Sequence, residues 1–185
     1  MKIIGGEFRG MNLFTPKDQS IRPTTGRIRE DMFNIIRPYL YNANFLDLFS
    51  GTGAVGLEAL SRGAGHVDFV ERANTSISLL RKNIEKTKTT DKTRVIRSDA
   101  RKFLLTTDEI YDIIFFDPPY KYDKFDDLFS IIIQRNLVKD DGLIIAEHDK
   151  HYIPKEKMGK WDLFRVKNYS VTHMHYYKKT ENSIE

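Results

Sequence analysis

The chain has 185 residues, 40% of them hydrophobic, with a formal net charge of +4 and no cysteine. That length suits a single sizeable core. The missing thiols exclude disulfides, cysteine-ligated zinc, iron–sulfur clusters and thiolate nucleophiles. No apolar run approaches the ~20 residues needed to cross a bilayer, and "MKIIGGEFRG" places glycines and charges where a secretory leader would be apolar. A cytoplasmic location is the expectation. Basic residues gather at the front (Lys2, Arg9, Lys17, Arg22, Arg27, Arg29, Arg37) and again from Lys150 to Lys179, whereas the middle is richer in acids. That distribution fits either two solvated faces or a polyanionic partner.

In chain order, residues 2–14 read as a short strand pair around Gly10, and Ile28, Met32, Ile35 and Ile36 recur at helical spacing before Pro38. Residues 1–40 are expected to form this hairpin and helix as an extension packed on a core domain of residues 41–180. From Asn44 the pattern alternates. Strand "NFLDLF" leads through a glycine loop to a helix over 54–62. Strand "HVDFVE" precedes a helix over 74–87, and "TRVIRS" precedes a short helix over 100–105, before strand "YDIIFF". Such alternation implies a parallel sheet with helices on its faces. An apolar stripe of Phe125, Leu128, Phe129, Ile132 and Ile133 marks another helix, and "GLIIAEH" supplies a fifth strand. "WDLFRVKNYSVTHMHYYKK" reads as two strands around Asn168, so the α/β sheet closes with an antiparallel pair instead of the further βαβ units of a dinucleotide-binding fold.

Two segments carry chemistry. In "FLDLFSGTGAVGLEAL", Gly51, Gly53 and Gly56 lie between a strand and a helix, where backbone and helix N–H groups can meet a ligand closely. Glu71 closes the next strand about 20 residues on, in position to hydrogen-bond a ribose diol. NAD and S-adenosylmethionine both offer one. Asp47, inside the first strand, would repel a pyrophosphate but tolerate a sulfonium or amino group, unless it faces outward as a solvated acid. Asp99 is suited equally to accept from an adenine amine and to cap the helix that follows. The second segment is "IIFFDPPYKY". Pro118 and Pro119 end strand pairing and hold Asp117 extended, presenting a carboxylate, free carbonyls and the Tyr120 ring to a flat ligand bearing an amine. His173 and His175, alternating on a strand, read as surface or packing residues, and no metal-ligand cluster is evident.

"DLFSGTGAVGLEALSRGA", "FVER", "SDA" and "FFDPPY", in this order, resemble the class I S-adenosylmethionine-dependent methyltransferases that act on amines. With "MKIIGGEFRG" and "IRPTTGRIREDMFNII" in front, the chain from residue 2 to about 178 resembles the RsmD family of bacterial 16S ribosomal RNA guanine-N2 methyltransferases. The resemblance implies a Rossmann-like, doubly wound seven-stranded sheet with an antiparallel last strand, behind the N-terminal hairpin and helix. It implies S-adenosylmethionine held by Asp47, Gly51, Thr52, Gly53, Glu71, Arg72, Asp99 and Ala100. The target base would be received by Asp117, Pro118, Pro119 and Tyr120. The substrate would be guanine 966 of 16S rRNA in the small ribosomal subunit or its assembly intermediate, gripped by Arg9, Arg22 and Arg27, with no obligatory protein subunit. Ser50, Thr52 and Ser170 depart from residues common in the family, the last leaving the C-terminal hairpin's turn open. A DNA adenine-N6 methyltransferase, a protein glutamine N-methyltransferase and a non-catalytic RNA-binding factor are the alternative readings. Chain size, the aspartate before the prolines, and the intact glycine loop weigh against them in turn.

Overall fold

The computed structural model describes residues 1–16, 26–119 and 125–180. Its sheet begins with four parallel strands, β1 (Asn44–Leu48), β2 (His66–Glu71), β3 (Thr93–Arg97) and β4 (Tyr111–Phe116). It continues through β5 (Val138–Asp149), the two-residue β6 (Lys157–Met158), β7 (Trp161–Asn168) and β8 (Thr172–Lys179). The order is β3-β2-β1-β4-β5-β8-β7-β6, with β8 antiparallel to β5 and β7 antiparallel to β8. The described sheet therefore holds eight strands where the family pattern implies seven. The extra one, β6, is too short to leave a periodic trace in sequence.

Five α-helices are described: α1 (Gly26–Leu40), α2 (Ala54–Ser61), α3 (Asn74–Thr87), α4 (Ala100–Thr106) and α5 (Phe125–Gln134). Strand residues alternate between two cores, as side chains on a pleated strand must. Phe45, Phe69, Phe115 and Ile145 join Met32, Phe33 and Ile36 of α1, Leu57 of α2 and Leu80 of α3 on one face. Leu46, Leu48, Ile114 and Ile144 join Leu104 of α4 and Leu128 and Phe129 of α5 on the other. Each large apolar side chain so buried contributes about 1.5–3 kcal/mol.

Three expectations are altered. Helix α1 continues through Pro38 to Leu40, because a proline in the last turn removes only one late hydrogen bond. Strand β5 starts four residues early, at Val138; the register slips between Tyr111 and Ile113, so that exposed Lys139, Asp140 and Asp141 form an irregular insertion. The N-terminal strand pair reduces to one antiparallel bridge, Lys2 with Asn12. Its intervening turn bonds α2 instead: Glu7 N–H donates to the Ser61 carbonyl (2.7 Å), Phe8 N–H donates to Ser61 Oγ (2.9 Å), and Ser61 Oγ–H donates to the Gly5 carbonyl (2.7 Å).

Candidate active site

The glycine loop joins β1 to α2 at the C-terminal edge of the sheet, where open α/β folds bind ligands. Gly51 has φ +54 and Gly53 φ +82, left-handed values that favour glycine, but their surroundings differ. A Cβ on Gly53 would lie 2.3 Å from Leu80 Cδ1, so this glycine closes the turn against α3. Among the described residues a Cβ on Gly51 would meet nothing within 4 Å, so a ligand can approach its backbone. Thr52 is buried, and its carbonyl accepts a hydrogen bond from Asn83 Nδ2 at 3.0 Å. The same Asn83 amide donates to the Phe14 carbonyl and accepts from Phe14 N–H (2.7 Å), tying the N-terminal segment to the loop.

Glu71 is held by three backbone donors: Gly51 N–H to Oε2 (2.9 Å), and Arg72 N–H (2.8 Å) and Ala73 N–H (2.7 Å) to Oε1. The carboxylate is thereby fixed beside Gly51, with lone pairs left for a diol. The Arg72 side chain is exposed, and this residue's backbone is what supports Glu71. Asp99 caps α4, accepting from Lys102 N–H at Oδ1 (3.2 Å), and Ala100 behind it is buried. The capping role leaves Oδ2 of this exposed side chain for a ligand.

Asp47 is buried at 1% exposure and faces the α1–α3 core with Phe115, its partner across β1 and β4. It accepts from Gly56 N–H at 2.9 Å, in the first turn of α2, whose N-cap Gly53 has no side chain to do so. Burial pushes its carboxyl up to about 7, against the pull of that N–H and with the Glu71 charge adding to the rise. Asp117 directly follows β4. Extended backbone before a proline continues the strand's alternation, which sets Asp117 on the Phe115 face. The β4–β5 register then places Glu147 beside it, because Phe116 pairs with Ala146. Burial, then the Glu147 charge, then that of Asp47 hold the Asp117 carboxyl well above the usual range. Among the described residues no salt bridge reaches Asp47 or Asp117.

Such acids fit a cationic sulfonium or ammonium group, which would favour their ionised forms, and oppose a pyrophosphate. Pro118 is partly exposed and Pro119 exposed, leaving the turn's carbonyls at the mouth; Tyr120 and Arg22 lie outside the described residues. Exposed Arg27, in the first turn of α1, is close enough to influence the Tyr169 hydroxyl, which donates to Asp31 Oδ2 at 3.4 Å. Arg9 is placed elsewhere. It is exposed in the turn that bonds Ser61, at the far end of α2 from the glycine loop, about 12 Å along the helix axis.

The sequence reading omitted Glu147, which the register sets beside Asp117, and Asn83, which supports the glycine loop. Glu147 gives the same signal as Asp47, an acid interrupting an apolar strand. His175 is fully buried, packed near His148 and Tyr152, and among the described residues neither ring nitrogen has a hydrogen-bond partner.

The family model described as Conserved hypothetical protein 95 matches residues 1–178. YlbH of Bacillus subtilis is 36% identical over 97% of this chain and 99% of its own length. Ribosomal RNA small subunit methyltransferase D of Escherichia coli K12 is 34% identical over 90% of this chain and 84% of its own. The solved structure of YhhF from Escherichia coli superposes with a TM-score of 0.88 at 32% identity, covering 97% of this chain and 98% of the other. With the parallel sheet, the reversed last strand and the acid-lined glycine loop, these similarities place the chain in the RsmD family, with the fold of the class I methyltransferases.

Proposed function

We propose that the protein transfers a methyl group from S-adenosylmethionine to the exocyclic N2 amine of a guanine in 16S ribosomal RNA, acting in the cytoplasm on the small subunit or an assembly intermediate. The observation that carries this reading is the pairing of an open glycine, Gly51, and a backbone-fixed carboxylate, Glu71, with acids at the ends of β1 and β4 that lack cationic partners among the described residues. When bound, the cofactor supplies an electrophilic methyl on a positive sulfur. Gly51 and Glu71 would hold its backbone-facing and ribose portions, Asp99 Oδ2 its adenine amine, and Asp47 would favour its positive charge.

The residues at the end of β4 act on the nucleophile. The lone pair of a guanine N2 is delocalised into the ring, so it must be turned out of the plane to attack. The Asp117 carboxylate and the Pro118 carbonyl would each accept one amine N–H, directing the lone pair at the methyl carbon for in-line displacement. Asp117, whose carboxyl is already driven toward protonation by loss of hydration and by its acidic neighbours, can take the amine proton once the N–C bond has formed. Tyr120 would stack on the base, which must first leave its own stack to enter. Arg27 would meet a phosphate near the mouth. The E. coli relative's name carries the small-subunit RNA assignment, and the particular guanine follows from the family resemblance.

The test is transfer of labelled methyl to unmethylated small ribosomal subunits, with the product nucleoside identified and duplex DNA run alongside. N2-methylguanosine in the RNA is the expected product. Label on DNA adenine, or none on RNA, would overturn the substrate assignment.

A further inference from the structure

The groups at the end of β4 account for methyl transfer but leave the late basic run and one exposed apolar side chain without a task. Strand β5 leaves the sheet at the same edge as β4, so the segment after Asp149 starts beside the Asp117–Pro119 turn. That segment is pinned to the first turn of α5. The Tyr152 ring stacks on His148 with centroids 4.1 Å apart and meets the Phe125 ring edge-on at 5.0 Å, and its hydroxyl donates to Asp126 Oδ1 at 2.8 Å. Lys155 Nζ pairs with Asp126 Oδ2 at 2.7 Å, while the Lys155 carbonyl accepts from the Tyr177 hydroxyl at 3.2 Å. Between these anchors stand Ile153, 86% exposed, and the half-buried Pro154. A lone exposed isoleucine is ordinary on a protein surface. This one is the tip of a loop fastened on both sides of it, so folding back onto the core would break the Asp126 contacts.

Resting on the reading of the substrate as a guanine within folded RNA, we infer that Ile153 is a wedge that enters the base stack beside the target nucleotide and holds the gap open while the guanine occupies the Asp117–Pro118 turn. A base must leave its stack to reach that turn, and its neighbours close over the gap unless an apolar group fills it. Side chains inserted between base steps are those of phenylalanine, leucine, isoleucine, methionine and proline, and Ile153 followed by Pro154 has that chemistry. A protein partner would need a wider apolar patch than one side chain supplies, whereas a base step is filled by a single one. The surrounding charge suits the same partner. Lys150 and Lys155 flank the tip, and Lys150 is exposed with no acidic partner among the described residues, which leaves it for a phosphate. Ile153 would touch the neighbours of the reacting base and not the reacting atoms, so it is a positioning residue.

The experiment uses small ribosomal subunits reconstituted with RNA that carries 2-aminopurine, whose fluorescence rises when it is unstacked, next to the target guanine, on either side in turn. The wild-type protein is expected to raise the fluorescence of one of the two. Ile153→Ser should lose most of that rise and about tenfold in kcat/KM, with S-adenosylhomocysteine affinity unchanged, and Ile153→Met should restore both. Asp117→Ala should keep the fluorescence rise without methyl transfer, which separates opening of the stack from the chemistry. On subunits whose neighbouring nucleotide is abasic there is no stack to hold open, and the wild-type protein and Ile153→Ser should differ there by less than about twofold. No fluorescence rise with the wild-type protein, an equal rise with Ile153→Ser, or equal losses on the two RNAs would overturn the wedge while leaving the methyl-transfer reading in place. No transfer to guanine by the wild-type protein would overturn both.

Discussion

The molecule buries its acids in two different ways. Midway along α2, Glu58 is fully buried and receives two guanidinium groups, Arg29 Nε at 3.0 Å and Arg62 Nη2 at 2.8 Å. Across the sheet Asp68, 1% exposed, is met by Arg94, by His66 and by the Tyr111 hydroxyl at 2.7 Å. At the C-terminal edge buried Asp47 has, among the described residues, a single backbone N–H, and half-buried Asp117 has acids for neighbours. A buried charge left without a counter-charge raises its own pKa, which a stability-driven design would avoid. On the proposed function, the contrast separates carboxylates that hold the fold from carboxylates whose compensation would arrive with a ligand.

The largest effect should come from unpairing the first kind. Glu58→Ala removes the carboxylate that two arginines share, one of them fully buried, and is expected to cost about 3–5 kcal/mol in urea unfolding. A loss below about 1 kcal/mol would erase the contrast. Asp117→Ala should do the reverse, leaving the urea midpoint and S-adenosylhomocysteine affinity nearly unchanged while kcat falls by about 10²–10³. If affinity fell with kcat, Asp117 would belong to the cofactor half of the site.

Titration gives a finer separation. The folded state holds a proton on Asp47 between its ordinary 3.8 and about 7, so this group's stabilising contribution is full below 3.8 and is lost as pH rises through 7. His175 behaves oppositely. Burial, then the nearby His173 charge, lower it from 6.5 to about 4, so its contribution is present above 6.5 and is lost as pH falls through 4. Each is worth about 1.4 kcal/mol per pH unit inside its window. Unfolding free energy measured from pH 4 to 6.5 should therefore rise more steeply with pH in Asp47→Asn and less steeply in His175→Leu. Parallel profiles would mean that neither group is held in the state its surroundings favour.

Much of this was readable in sequence because it is local. Strands β2 and β4 fall on the residues their apolar runs mark, and an acid inside "FLDLF" or a proline pair after "IIFF" is visible without knowing any neighbour. What escaped depends on partners far along the chain. Glu147 acquires meaning only because β5 lies beside β4, and Asn83 only because Phe14, 69 residues away, packs against it. The position of Arg9 depends on distant partners in the same way. Its charge is local, but the turn carrying it was recruited by Ser61, which moved it away from the glycine loop. Proline at position 38 misleads for a related reason, since a helix terminator matters little where packing of Met32, Phe33 and Ile36 already secures the helix.

The smallest predicted effect distinguishes space kept for the fold from space kept for a ligand. Gly51 and Gly53 share left-handed backbones, so alanine at either should cost about 1–2 kcal/mol for that conformation alone. At Gly53 the added methyl must also displace Leu80, which is buried, so Gly53→Ala should be the more destabilising change in urea. At Gly51 the methyl meets no atom of the described residues, and its further effect should fall on whatever occupies that space. Gly51→Ala should therefore lose S-adenosylhomocysteine affinity roughly tenfold or more while unfolding with the smaller penalty. If the two variants lost affinity in proportion to stability, the open space above Gly51 would be incidental, and the cofactor would have to be sought along another part of the loop.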